Sequence, residues 1–369
     1  MKELEALAIL TATPLLGSIR IRLLINRFGS AADAIKATLN EVAELPGFGP
    51  KILQTWGHWH KNSAWKADID LAQENDVQLI AYTSPNYPKR LLELPDHPIL
   101  LYVKGELKAC DQHSIAVVGT RQAGIYGMEM AEKISQDLAG LGFTVVSGLA
   151  RGIDTAAHRG ALRKGRTLAV IGSGLNDIYP QENLALSQTI VQEGALISEF
   201  PMATPPDRQN FPQRNRIVSG LTLGTLLIEA PLKSGAMLTM ERALDQGKKL
   251  FALPGRADNE NFRGNHHLIK QGQALLIECA GDIAELFSDL FNICGSARPK
   301  LQKKLARPAL EKEEESLLNQ LPSEELSFDE ILQIAKVPVM KLNVLLMSLI
   351  LKQAIKEFPG KSYKKVVLE

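Results

Sequence analysis

The stretch IAVVGTRQAGIYG (Ile115 to Gly127), continued by VVSGLARGID (Val145 to Asp154) and LAVIGSG (Leu168 to Gly174), decides how this chain folds. In each segment a short apolar run ends in small residues before a helical pattern begins. FPQRNRIVSG (Phe211 to Gly220), LIEAPLKSGA (Leu227 to Ala236) and LFALPGR (Leu250 to Arg256) extend the series. Strands that are apolar on both faces, alternating with helices, indicate an α/β protein whose parallel sheet is covered on both sides, a Rossmann-like core. The pattern predicts strands at Ile115–Val118, Thr144–Ser147, Thr167–Ile171, Ala195–Ser198, Gly224–Glu229, Lys249–Ala252 and Ala274–Ile277. Helices are expected at Met128–Leu141, Ile153–Arg163, Asn183–Glu193, Ala236–Asp245 and His266–Gln271.

In such a sheet ligands sit beyond the carboxyl ends of the strands, where these turns fall. Gly119, Gly148, Gly172, Gly174 and Gly235 let backbone approach a ligand, and each following helix start offers N–H groups to an anion. Arginine suits phosphate because its planar fork donates two parallel hydrogen bonds and keeps its charge. Arg121 lies in the first turn, where its alternative is an ion pair that braces the loop. Arg151 has a local alternative partner in Asp154. FPQRNR is expected as an extended loop with Arg214 and Arg216 on one side and Phe211 beside them. An aromatic among arginines is what a single nucleic-acid strand needs, although Phe211 capping the core and Asn215 holding a turn would be the plain structural roles.

Several chemistries are disfavoured. GTRQAGIYG is not G-x-G-x-x-G, no acidic residue follows at ribose distance, and no G-x-x-x-x-G-K-[ST] occurs, which weakens dinucleotide and P-loop readings. His158, four residues after Asp154, could be a base oriented by a carboxylate, but a structural hydrogen bond accounts for it as well. His266 and His267 lack further spaced ligands, and Cys110, Cys279 and Cys294 form no C-x-x-C pair, so no metal, disulfide framework or cofactor is expected.

The 369 residues allow two or three domains. A formal net charge of +1 argues against a surface basic all over, though not against a local basic groove. The start MKELEALAIL does not read as a signal peptide, and no apolar run is long enough to span a bilayer, so a soluble cytoplasmic protein with no membrane partner is expected. Residues 1–80 read as a helical unit, in which ELPGFGPKIL (Glu44 to Leu53) resembles a SAM or helix-hairpin-helix turn. The plain alternative there is a helix–helix connection. A proline-rich connector at 81–110, the Rossmann-like core at 111–292, a linker at 293–312 and a winged-helix-like unit at 313–369 complete the division.

Taken together, VGTR followed by YG, SGLARGID-x-x-AH, FPQRNR and SG-x-x-x-T resemble the DNA-processing protein family, DprA or Smf. The resemblance covers essentially the full length. It implies a non-catalytic protein that binds single-stranded DNA on the Rossmann-like domain, forms a homodimer and helps load the RecA recombinase during natural transformation. By position it places the DNA pocket at Gly119, Thr120, Arg121, Ser147, Gly148, Arg151, Phe211, Arg214, Asn215 and Arg216. Ser173 with Gly174, and Ser234 with Gly235, match further glycine turns of the family. The sequence departs from the pattern where Thr239 is followed by Met240 and Glu241, and where Gln273 replaces a usual alanine.

Two other functions compete. GTLLIEA (Gly224 to Ala230) places Glu229 where a nucleoside-phosphate hydrolase on a Rossmann-like fold carries an acid, though SGLTL lacks the paired glycines before it. A duplex-DNA regulator would use the tail as its reading head, but VPVMKLNVLLMSLILKQ is too apolar for a recognition helix.

Overall fold

The computed structural model describes residues 2–59, 64–288, 311–322, 326–352, 354–358 and 362–365. Most of the predicted linker, Cys294 and the Pro359–Gly360 turn lie outside them. The chain divides into two compact units, Met1–Gly295 and Ser296–Glu369.

The first unit opens with six helices: α1 (Glu3–Ala12), α2 (Ser18–Phe28), α3 (Ala31–Ala34), α4 (Leu39–Ala43), α5 (Pro50–Trp56) and α6 (Ala64–Glu74). Helix α2 buries Ile21, Leu24 and Ile25, the i, i+3, i+4 face, and stops at Gly29, whose φ of +90° suits only glycine. Thr38 and Glu41 cap the start of α4 reciprocally. In ELPGFGP, which joins α4 to α5, Phe48 plugs the helical core and Arg20 donates to the Gly47 carbonyl.

Nine strands form one sheet: β1 (Val77–Ala81), β2 (Leu100–Gly105), β3 (Ser114–Val118), β4 (Thr144–Ser147), β5 (Thr167–Val170), β6 (Ala195–Ser198), β7 (Gly224–Leu227), β8 (Lys249–Ala252) and β9 (Leu275–Leu276). Their order is β1-β2-β6-β5-β4-β3-β7-β8-β9. From β6 to β9 the pairing is parallel, with Ile115 opposite Val145 on one side and Gly224 on the other. Strands β1 and β2 add to the edge antiparallel, Tyr102 pairing with Ser198. The sheet therefore begins before residue 111 and takes in residues from both the front unit and the connector. The proline-rich segment between β1 and β2 masks their hairpin-like pairing, and the other partner of β2, strand β6, lies far along the chain.

Seven helices cover the parallel part: α7 (Ile125–Gly140), α8 (Ile153–Leu162), α9 (Leu184–Glu193), α10 (Asn210–Gly220), α11 (Gly235–Asp245), α12 (Arg263–Lys270) and α13 (Ala280–Leu286). Strand β3 shows why its sequence is apolar throughout. Ile115 and Val117 pack into the α7–α8–α13 layer, while Ala116 and Val118 pack into the layer of α10, α11 and α12. Full burial of each large side chain contributes about 1.5–3 kcal/mol, so Ile115→Ala would cost about 2–5 kcal/mol once the cavity is included.

The strand order reverses between β3 and β7, since the chain runs outward through β4, β5 and β6 and then returns to the other side of β3. Such a switch point opens a crevice at the carboxyl ends of the two strands. This Rossmann-like arrangement positions the candidate site.

In the second unit, α14 (Lys312–Gln320), β10 (Leu326–Ser327), α15 (Phe328–Ala335), α16 (Val339–Leu351), β11 (Ile355–Phe358) and β12 (Ser362–Lys365) follow in that order. The antiparallel sheet runs β10-β12-β11, and Leu317, Ile331, Leu342, Leu346 and Tyr363 form a core of their own. Among the described residues no single helix is long and apolar enough to cross a membrane.

Candidate nucleic-acid interface

A cleft of about 640 Å³ lies over the carboxyl ends of β3, β4 and β7, with α10 and α11 as its far wall. It gathers Gly119, Thr120, Arg121, Gly148, Phe211, Arg214, Asn215, Ser234 and Gly235. A side pocket of about 180 Å³ shares Arg121, Gly148, Phe211 and Arg214 and adds Arg151, Ser173 and Tyr179. Four basic side chains, Arg121, Arg208, Arg214 and Lys233, line the main cleft against one carboxylate, Asp154. For a chain of net charge +1 this is a local concentration of positive charge.

Arg214 forms the floor. Only 4% exposed, it donates from Nη1 to the Val170 carbonyl at 2.6 Å, and its Nε has no partner among the described residues. Burial pulls its pKa down to about 10, with Asp154 opposing that shift and Arg121 adding to it. Gly148 makes room for the guanidinium, because a Cβ there would stand 1.8 Å from Nη1. Asp154 in turn accepts from the amides of Gly148 (3.1 Å) and Ala150 (3.3 Å). Burial raises its pKa, and Arg214 counteracts that most strongly.

The exposed Arg121 guanidinium rests 5.0 Å from the centroid of the Phe211 ring, and Tyr179 stands 6.1 Å from the same ring. A cation over an aromatic face is held by the ring quadrupole, by about 0.5–1 kcal/mol at an exposed site. Arg121, Arg208 and Lys233 have no ion-pair partner among the described residues. Asn215 donates to the Gly235 carbonyl at 3.4 Å and so ties α10 to α11 along the floor.

Not every glycine turn offers its amides to a ligand. At the start of α7 the site is already filled, since both oxygens of Glu229 accept from the Gly124 amide (3.0 and 3.2 Å) and Asn261 donates to one of them at 2.8 Å. Gly127 is needed there, as a Cβ would fall 1.9 Å from the Glu229 carboxylate. At the second turn Asp154 occupies the amides. The start of α11 differs: Ser234 caps the Met237 amide, while the Gly235 and Ala236 amides border the cleft with no protein partner among the described residues. Of the starts of α7, α8 and α11, the chain fills the first two with its own carboxylates, and the one beside Lys233 is open. At the turn after β5 the Gly174 amide donates to the Thr204 carbonyl at 2.8 Å.

Other expectations change for equally physical reasons. FPQRNR is not extended, because Asn210–Gly220 is helix α10. Residues two apart on a helix point about 200° apart, whereas on an extended strand they share a side. Arg216 accordingly faces away from the cleft and pairs with Glu199 and, at 3.3 Å, with Asp96 at the joint with the front helices. Burial raises the Glu199 pKa, opposed chiefly by Arg216. Arg151 pairs with Glu182 at 2.9 Å, not with Asp154. Ser147 is fully buried and donates to the Val117 carbonyl, and Gly174 packs beneath the 201–204 segment. His158 does not meet Asp154; its Nδ1 lies 2.7 Å from the Thr167 hydroxyl, and burial lowers its pKa to about 3.

The sequence missed Arg208, Gln122, Lys233 and Tyr179. Lys233 stands immediately before a turn that was singled out. Arg208 lies three residues before Phe211, a spacing that acquires meaning once the segment is known to enter a helix.

A doubly wound sheet with a basic, aromatic-edged cleft at its switch point defines an α/β protein of the Rossmann-like class. Within that class the chain belongs to the DNA recombination-mediator protein A family, whose profile matches residues 78–288. It is 45% identical over 208 residues to Protein Smf of Escherichia coli K12, a match covering 56% of each chain. It is 41% identical over 200 residues to DNA processing protein DprA of Streptococcus pneumoniae, covering 54% of this chain and 71% of the relative. The crystal structure of DprA from S. pneumoniae superposes with a TM-score of 0.67 at 32% identity, over 77% of this chain and 98% of that one. A structure solved for the single-stranded DNA binding mode of DNA processing protein A from Helicobacter pylori has a TM-score of 0.53 at 32% identity, over 57% of this chain and 96% of that one.

Proposed function

We propose that the cleft holds single-stranded DNA and that the protein acts by binding rather than by catalysis. The observation that carries this reading is the surplus of cations in one cleft: Arg121, Arg208 and Lys233, without ion-pair partners among the described residues, line it together with the buried Arg214, and Arg121 rests on the Phe211 ring. Phosphates meet Arg121, Arg208, Arg214 and Lys233 together with the open start of α11, while bases stack at Phe211 and Tyr179. Stacking of that kind is worth about 1–3 kcal/mol per base and tolerates any sequence.

The site residues in this reading are Gly119, Thr120, Arg121, Gly148, Arg151, Ser173, Phe211, Arg214, Asn215, Ser234 and Gly235. Ser147, Gly174 and Arg216 support them from behind. The protein works in the cytoplasm as a homodimer that protects incoming DNA and passes it to the RecA recombinase, in natural transformation or a related recombination task. A nucleoside-phosphate hydrolase is disfavoured because its acid, Glu229, is 1% exposed and engaged with Gly124 and Asn261.

Fluorescence anisotropy with single-stranded and duplex oligonucleotides tests this function. A clear single-strand preference that weakens with added salt is expected. Equal affinity for both forms, or release of free base from nucleoside monophosphates, would overturn it.

A further inference from the structure

Outside the cleft, across the ridge formed by residues 121–124, lies an open hollow of about 700 Å³ bounded by the start of α7 and the segment after β8. Its floor is aromatic. Tyr126 is 49% exposed and rests on the buried Phe262 with ring centroids 5.9 Å apart, while Ile125 beside it is 80% exposed. Exposed apolar side chains grouped this way mark a contact surface.

Three observations favour a nucleic-acid strand as the occupant. The hollow and the cleft open at the same end of the sheet and share one wall, because Gln122 faces the cleft and Gly124 the hollow. Arg256 stands on the rim, paired with Asp258 at 2.8 Å by side chains that are both largely exposed. The pair is a fork from Nε and Nη2 to both Asp258 oxygens, and it leaves Nη1 without a partner among the described residues to meet a phosphate. Finally, the carboxylate that also borders the hollow, Glu229, is occupied by the Gly124 amide and the Asn261 side chain, which limits its repulsion of an anion.

We infer that the Tyr126–Phe262 shelf, with Arg256 at its rim, is a second subsite for the same single strand. It receives bases that leave the cleft over the 121–124 ridge. This rests on the cleft being a single-strand site, and the two assignments fail separately.

The test measures anisotropy of the full chain with oligothymidylates of increasing length. Wild-type affinity should keep rising after the cleft is filled. Tyr126→Ala should stop that rise, weakening the longest oligomers by roughly five- to a hundredfold while leaving the shortest unaffected; Tyr126→Phe should restore it. Unaltered affinity of Tyr126→Ala for long oligomers overturns the shelf, and this is also the result expected if a protein partner occupies it. Photo-crosslinking with iodouracil gives a readout without mutation: crosslinks at Tyr126 support the subsite, and crosslinks confined to Phe211 and Tyr179 overturn it. Failure of the cleft assignment would show differently, as Arg121→Glu retaining affinity for the shortest oligomers.

Discussion

Helix α10 carries two arginines, two residues apart, into two regions that treat charge in opposite ways. On the cleft side, Arg214 has one carboxylate nearby, Asp154, one of whose oxygens is taken by two backbone amides, and the neighbouring Arg121, Arg208 and Lys233 add cations without ion-pair partners among the described residues. On the joint side, Arg216 is held by Glu199 and Asp96, and the surrounding groups lock the front helices to the sheet. Ser18 donates to the Asp96 carbonyl there, and Asp68 accepts from Tyr102 and from the Met202 amide. Removing one partner of a buried ion pair strands the other charge, whereas charge left in surplus around a cavity is a site for an anion.

The largest test of this contrast is Arg121→Glu. It should abolish oligonucleotide binding at moderate salt, while denaturant unfolding shifts by no more than about 0.5 kcal/mol, as for other exposed side chains. Retained affinity would remove the cleft from the binding account. Arg216→Met should do the reverse: a loss of about 3–5 kcal/mol in unfolding free energy, because Glu199 stays buried without its partner, with affinity of the folded protein unchanged. If binding fell and stability did not, the two sides of α10 would have been misassigned.

Gly148→Ala joins both effects, since its methyl would displace the Arg214 guanidinium. Overpacking predicts a stability loss of about 1–3 kcal/mol, accompanied by weaker binding. Calorimetry together with anisotropy on one preparation would separate the two parts.

His158, below the cleft, yields a pH signature. Its pKa in the fold, about 3, lies below the ordinary histidine value near 6.5, so between those limits the unfolded chain binds the extra proton. Its contribution to stability is complete above about pH 6.5 and is lost as pH falls toward 3, with a slope of at most about 1.4 kcal/mol per pH unit. Asp154, Asp68 and Glu199, whose pKa values are raised, act in the opposite sense, so the informative quantity is the difference in pH slope between wild type and His158→Gln. Identical slopes would contradict a neutral, buried His158.

The smallest expected effect is that of Lys233→Ala. Loss of one phosphate contact should reduce the slope of log affinity against log salt by about 0.7 for a single strand. An unchanged slope would place the strand away from the start of α11.

Much of the core was legible because burial on both faces leaves a strong pattern. Strands β4, β6 and β8 fall at the residues that the apolar runs indicated, and the turns after β3 and β4 do line the cleft. Helix α10 was not legible. Its apolar residues form no clean stripe, and Pro212 near its start suggests a loop, although proline is well tolerated in a first helical turn. The helix is held by packing on the sheet, where Ile217 and Val218 join the core.

What the sequence determined by itself is the doubly wound core and the residue types gathered at its switch point, because periodicity and turn chemistry are local properties. Only the tertiary structure decided which of those residues face a ligand. Arg214 and Arg216 went to opposite sides of one helix, Glu229 returned from another element to fill the start of α7 while Asp154 folded back on the amides of its own turn, and β1 and β2 joined an edge far away in sequence. Apart from the local Asp154 turn, each depends on contacts between distant segments, about which spacing along the chain carries no information.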